Sequence, residues 1–318
     1  DSLNADFTKN INKRHRLNYG AEVVFNDVVS KAFTENIING EQTPTSTRYP
    51  DGGSQMYSEG GYLKYTLTAP KWVFSLGSRY SFVSLKSAFD DTTFFNFPFN
   101  SINLSNSVIS NNLSVIWKPG KDWRIQTIFG GGFRSPNVDD VAKVFDSSPG
   151  SVIVPNEDLK PEQVINFELG ISKVIEQKVK VSFTAFYTRL FDFIKRGNFQ
   201  FNGQDSIIYD GVLSQVQANV NGESAHIYGF SAAIVADFTE SLSFKANYNY
   251  IFGESVTDTV PLGHIPPTYG QAAILYQSDK FQAEFNIQYN GWKHIEDYSP
   301  SGVDNEENAL PEGTPAWY

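Results

Sequence analysis

Apolar residues recur at every second position along most of this chain, and the alternation is cleanest over Lys178–Thr188. Val179, Val181, Phe183, Ala185 and Tyr187 fall on one side there, with Lys178, Lys180, Ser182, Thr184, Phe186 and Thr188 on the other. A period of two is that of a strand with one apolar face. The pattern returns in Leu17–Val29, Met56–Thr68, Leu242–Phe252 and Phe281–Trp292. Further strands are predicted at Leu3–Ile11, Trp72–Lys86, Ser107–Trp117, Trp123–Phe133, Gln163–Val174, Ser224–Phe238 and Tyr269–Gln277, giving about 12 to 14 in all.

These strands come in pairs closed by very short turns, such as Ala69-Pro70-Lys71, Thr239-Glu240-Ser241 and Ser278-Asp279-Lys280. Between pairs lie long polar or acidic segments: 34–55, 90–106, 134–161, 193–221, 253–267 and 293–316. Pro136, Pro149, Pro155 and Pro161 bar 134–161 from being the interior of a strand. The segment 193–220 is ambiguous, with room for two short strands around Asn202-Gly203-Gln204. Gly130-Gly131-Gly132 marks either a close approach of another backbone or a bulge.

A long meander with one family of connections extended at one end is the signature of an outer-membrane barrel. Its apolar face meets lipid and its polar face a wet or plugged lumen. Tyr and Trp recur near strand ends, at Trp72, Trp117, Trp123, Tyr187, Tyr269 and Trp292 among others, as in the interfacial belts of a bilayer. Ordinary β propensity of aromatics accounts for part of this. A soluble β-sandwich binding module is the competing architecture, with both apolar faces packed into a dry core. The length asymmetry predicts that the long segments face outside and the short turns the periplasm.

Composition narrows the function classes. The 318 residues carry a formal net charge of -10, which argues against a nucleic-acid partner. Cysteine is absent, so neither a disulfide framework nor a thiolate site is available. The four histidines, His15, His226, His264 and His294, lie far apart and form no metal-ligand spacing. Asp90-Asp91 and Asp139-Asp140 are better read as surface acids than as a catalytic dyad, and no enzyme, metal or cofactor is predicted. The acidic run from Asp297 to Glu312 does not fit the Ca²⁺-hand pattern.

One stretch is more specific. Gly132-Phe133-Arg134-Ser135-Pro136 is followed by Pro155-Asn156-Glu157-Asp158-Leu159-Lys160-Pro161-Glu162, then by Asn166-Phe167-Glu168-Leu169-Gly170. In this order the three elements closely resemble the barrel of TonB-dependent outer-membrane receptors. The "GFR-x-P" element is carried by Gly132, Phe133, Arg134 and Pro136, and the "NP-x-LKPE" element by Asn156, Leu159, Lys160, Pro161 and Glu162. Glu157 stands where the family often has Pro; Glu168 and Gly170 carry the third element. His264-Ile265-Pro266-Pro267 looks like the "x-IPP" element ahead of a late strand.

The resemblance implies an all-β, transmembrane antiparallel up-and-down barrel, of which this chain is an incomplete portion of a roughly 22-stranded whole. It implies an N-terminal plug and final strands outside residues 1–318, a location in the cell outer membrane, and contact with outer-membrane lipid. It further implies uptake of a scarce small nutrient, such as a ferric siderophore or similar iron complex, energised by a TonB complex through the plug region. A passive β-barrel pore or surface adhesive barrel is the alternative. Ligand contacts are expected in the outward segments. Phe94, Phe95, Phe97 and Phe99 would form an apolar wall, or else pack their own loop, with Arg134 and Lys143 as poles for an anionic group. Haem receptors of the family tend to place an axial His between the first two elements, and 134–161 has none; His226 and His264 are the other candidates.

Overall fold

The computed structural model describes residues 1–45, 47–90, 99–143, 145–148, 150–209, 211–222, 224–300, 304 and 308–318. In chain order the elements begin with β1 (Ser2–Asn10), β2 (His15–Val28), β3 (Phe33–Glu35), β4 (Gln42–Pro44), β5 (Ser54–Thr68) and β6 (Trp72–Ala88). Then follow β7 (Ser101–Trp117), β8 (Trp123–Arg134), the short helix α1 (Val138–Val141), β9 (Phe145–Ser148), β10 (Ser151–Ile153), β11 (Glu162–Ile175) and β12 (Val179–Phe191). The chain continues through β13 (Ile194–Asn198), β14 (Ser206–Tyr209), β15 (Val212–Asn221), β16 (Ser224–Asp237), β17 (Leu242–Ser255), β18 (Tyr269–Gln277) and β19 (Gln282–Asn290). It closes with β20 (Lys293–His294) and β21 (Gly313–Thr314). Among the described residues no helix is long and apolar enough to cross a membrane.

A 12-stranded sheet forms the wall, in the order β1-β2-β5-β6-β7-β8-β11-β12-β16-β17-β18-β19. Every neighbouring pair is antiparallel. The registers carry the alternation across the wall without a break. Phe7 lies opposite Tyr19, Tyr19 opposite Leu63, Leu76 opposite Leu113, Leu113 opposite Phe129, Phe129 opposite Phe167, and Phe167 opposite Tyr187. Tyr187 faces Tyr228, and farther on Ile274 faces Phe285. On the other face Asn18 lies opposite Lys64, Ser75 opposite Ser114, Asn166 opposite Thr188, and Asn247 opposite Gln271.

The apolar face is bare: Leu63, Leu76, Leu113, Phe129, Phe167, Phe183, Ile274 and Phe285 are all exposed. Each such side chain forgoes about 1.5–3 kcal/mol of burial in water, so the wall needs an apolar solvent. Among the described residues, most buried apolar side chains gather in two small clusters, both built largely from the long connections. A sandwich would place its core between wall strands, and this chain does not.

Several expectations are corrected here. The segment 90–106 was read as loop throughout, yet β7 begins at Ser101, pairing Ile102 with Ser87 and Leu104 with Leu85. Three strands, β13 to β15, occupy 193–221 in place of two, with a turn at Asn202-Gly203 between β13 and β14. The Pro-rich segment 134–161 contains α1, β9 and β10. Across Gly130–Gly132 the β8–β11 register runs straight, so there is no bulge. Nor does backbone press on those glycines; a Cβ on Gly131 would sit 3.5 Å from the nearest atom. What happens at Gly130 is a parting: β7 pairs β8 only from Asn112 to Trp117, and beyond Gly130 β8 keeps β11 as partner.

Candidate functional site

All long connections leave the same end of the meander, and there they build a second layer. β13, β15, β10 and β9 form a five-stranded sheet with β14, which pairs β15. One face of β15 presents Val216 and Ala218 to Val152 and Val154, with Phe199, Phe201, Ile207 and Tyr209 packed around them. A second cluster joins this layer to the wall: Leu85 and Ile102 from β6 and β7 meet Val141, Ala142 and Leu159. Ile102 is 0% exposed.

The layer is fastened by the motif residues. Arg134, the last residue of β8, donates to both Asp140 and Glu162, with Nη1 2.6 Å from Asp140 Oδ2. Glu162 uses its other oxygen to accept the Ile194 N–H at 2.7 Å, which fixes the start of β13. Asn137 caps α1 by accepting the Asp140 N–H at 3.0 Å, while Asp140 accepts the Asn137 N–H at 2.9 Å. Pro136 is fully buried. Asn156 donates to the Asn219 carbonyl at 2.8 Å, and Asn219 donates to the Asp140 carbonyl at 2.9 Å. The Lys160 N–H donates to Asn221 Oδ1 at 2.8 Å, and Asn221 Nδ2 donates to the Asp192 carbonyl at 2.6 Å. Leu159 fills the joining cluster. Gly132 and Phe133 pair with Val164 and Gln163; Glu168 and Gly170 lie farther down β11, opposite Ile128 and Gln126.

The expected ligand contacts fall out differently. Phe94, Phe95 and Phe97 lie outside the described residues. Phe99 packs on the joining cluster, its ring centroid 5.8 Å from that of Phe89. Arg134 and Lys143 come together at α1, but each faces a carboxylate there: Lys143 Nζ is 3.5 Å from Asp139 Oδ2. Asp139 also accepts from the Tyr49 hydroxyl at 2.9 Å and pairs with Arg48 at 3.3 Å, tying the 29–53 connection to α1. Burial pushes the Asp139 carboxyl up, but the Tyr49 hydrogen bond and the Lys143 and Arg48 charges outweigh it and hold it below the ordinary carboxylate value.

Asp304 is a second anchor that the acidic run hid. Its side chain is 5% exposed and pairs with Lys293 at 3.0 Å. It also accepts the backbone N–H groups of His264 and Ser299 at 2.7 and 3.2 Å. Burial raises this carboxyl; those bonds and the Lys293 charge lower it further than burial raises it. His226 Nε2 donates to the Glu254 carboxylate, 3.0 Å away, while the His264 ring is largely exposed. Among the described residues no group of His, Cys, Asp or Glu could hold a metal ion. Asn219 and Asn221 were missed by sequence reasoning; their signal was Asn-Val-Asn, two amides on one face of a strand.

An uninterrupted apolar face on a twelve-stranded antiparallel wall, with a folded layer at one end, defines a membrane-spanning β-barrel wall. The whole chain, residues 1–318, matches the family described as TonB dependent receptor-like, beta-barrel, and it belongs to that family. It lies in the outer membrane. An iron-regulated outer membrane virulence protein of Vibrio cholerae serotype O1 is 26% identical over 208 residues, covering 63% of this chain and 31% of the relative. Among solved structures, the copper transporter OprC aligns with a TM-score of 0.73 at 15% identity, over 92% of this chain and 42% of that one. The apoprotein form of the FrpB iron transporter from Neisseria meningitidis aligns with a TM-score of 0.65 at 15% identity, over 92% and 44%. The chain thus spans less than half the length of each of these relatives.

Proposed function

We propose that this chain is the wall and outer-loop portion of a receptor that takes up a scarce metal complex, an iron complex first, across the outer membrane with TonB-supplied energy. The observation that carries it is the Arg134 clasp. A passive pore needs only the wall, whereas here the long connections are folded into a layer and held to the wall by paired charges. Such a layer is a rigid platform for recognising cargo at the mouth. The iron-regulated relative and the iron-transporting neighbour support the choice of cargo. Plug and remaining strands belong, on this reading, to the rest of the receptor. Phe94, Phe95 and Phe97 are proposed as apolar cargo contacts, and Arg134 and Lys143 as poles for an anionic group.

A strain deleted for the intact gene should lose iron-limited growth on at least one ferric siderophore or on haem, and a strain lacking TonB should lose it equally. Growth defects confined to a glycan would overturn the iron assignment. Uptake that persists without TonB would favour the passive pore. On intact cells, added protease should cut within the long connections; cuts confined to the short turns would reverse the orientation.

A further inference from the structure

At the short-turn end, three tryptophans stand on neighbouring strands of the apolar face. Trp72 opens β6, Trp117 closes β7 and Trp123 opens β8. Trp72 and Trp117 are direct cross-strand partners, their rings stacked at 5.5 Å and 14°, and Phe74 stacks on Trp72 at 5.7 Å. All three indoles stay 38–40% exposed. Lysines surround them. Lys71 and Lys118 sit in adjacent turns whose backbones are joined by the Lys118 N–H donating to the Lys71 carbonyl at 2.7 Å. Lys121 lies in the same turn as Lys118, and that turn is fixed to β11 by the Val174 N–H donating to the Asp122 carbonyl at 2.8 Å. Lys173 pairs across from Trp123 and holds its Nζ 4.8 Å from the indole centroid.

Among the described residues none of these four lysines takes part in an ion pair, although ion pairs occur elsewhere along the wall and its connections. Asp122 is the one acidic residue within the two turns. Farther along the same short-turn end, the turns 238–241 and 278–281 differ, holding Glu240, Asp279 and a single Lys280, with no tryptophan.

We propose that Lys71, Lys118, Lys121 and Lys173, set around the Trp72–Trp117 stack and Trp123, form a binding site for the phosphate headgroup of an anionic phospholipid. The chemistry selects a lipid over a free anion. The lysines supply a positive rim, and directly beyond it Phe74, Leu76 and Leu113 offer an exposed apolar track along which an acyl chain lies. Indoles favour the level between headgroup and chain, and clustered basic residues at a membrane surface attract anionic lipid. The inference rests on the wall spanning a bilayer and needs neither the iron cargo nor TonB coupling.

The test uses the full receptor in nanodiscs of phosphatidylcholine doped with phosphatidylglycerol, with the lipids that stay bound after release counted by native mass spectrometry. Such discs present both lipids to both ends of the barrel, so orientation and transport do not enter the readout. Wild type should retain phosphatidylglycerol enriched about threefold or more over the bulk ratio. Lys71→Gln/Lys118→Gln/Lys121→Gln should fall to the bulk ratio, while Lys280→Gln keeps the wild-type enrichment. Heat-modifiable migration on a gel checks that each variant is folded. Bulk retention by wild type overturns the proposal, and so does undiminished enrichment in the triple variant.

Discussion

Arg134 sets two partly buried carboxylates, Asp140 and Glu162, on one guanidinium. Replacing it with Ala leaves those acids facing each other, and we expect a loss of about 1–3 kcal/mol, discounted for the exposure of the arginine. Hydrogen exchange should speed up over 134–142 and 160–196, and Arg134→Lys should rescue only part of it because an ammonium lacks the fork. Asn221→Ala removes three bonds to the Lys160 and Asp192 backbones and should cost about 1–3 kcal/mol locally, read by the same exchange at the start of β11 and β13. The Asp139 and Asp304 carboxyls titrate below the ordinary 3.8 in the folded protein. Their contribution is therefore full above that value and lost as pH falls through the lower folded values. Exchange protection of α1 and of His264 should hold down to about pH 4 and fail below it; failure near pH 6 would show that other groups control the layer. The motif made Arg134 visible in the sequence. Its pairings were not, because Glu162, itself a motif residue, lies 28 residues away, and Asn221, which holds Lys160, is 61 residues from it.

At the scale of elements, the strands with one apolar face were legible because register keeps that face in one solvent, so the period of two survives along their whole length. The long connections escaped because their strands are short and obey local packing. Ser101–Asn106 also alternates, with Ile102 and Leu104 inward, but six residues beside the aromatic run 94–99 give no period of their own. Its weight is nonetheless high: Ile102 lies in the cluster that joins wall to layer. Ile102→Ala should cost about 2–4 kcal/mol, loosening α1 and the top of β6 in hydrogen exchange while the short-turn half of the wall stays protected. Uniform loosening of the whole wall would mean that the layer is not a separate cooperative unit. β7 and β8 stop pairing beyond Gly130, but their outer ends stay in touch, with Asn106 Nδ2 donating to Ser135 Oγ at 3.2 Å.

For the whole molecule, the sequence showed wall, loop asymmetry and family, and left the charge map to the topology. Once the wall strands are fixed, the connections 29–53, 89–100, 135–161, 192–223, 256–268 and 291–318 hold 7 of the 25 Lys and Arg but 21 of the 35 Asp and Glu. The wall and its short turns keep the remaining 18 and 14. An acidic mouth repels anions over about one Debye length, roughly 10 Å at 0.1 M salt. It slows their encounter and speeds that of cations. The two cationic groups expected to meet an anionic cargo, Arg134 and Lys143, already face Asp140, Glu162 and Asp139, so they do little to reverse that field. For the intact receptor, stopped-flow association of a negatively charged ferric complex should therefore accelerate as salt rises from about 0.01 to 0.2 M, by several-fold. A positively charged complex should slow over the same range. An anionic complex that instead binds more slowly as salt is added would show that these connections do not set the field that cargo meets.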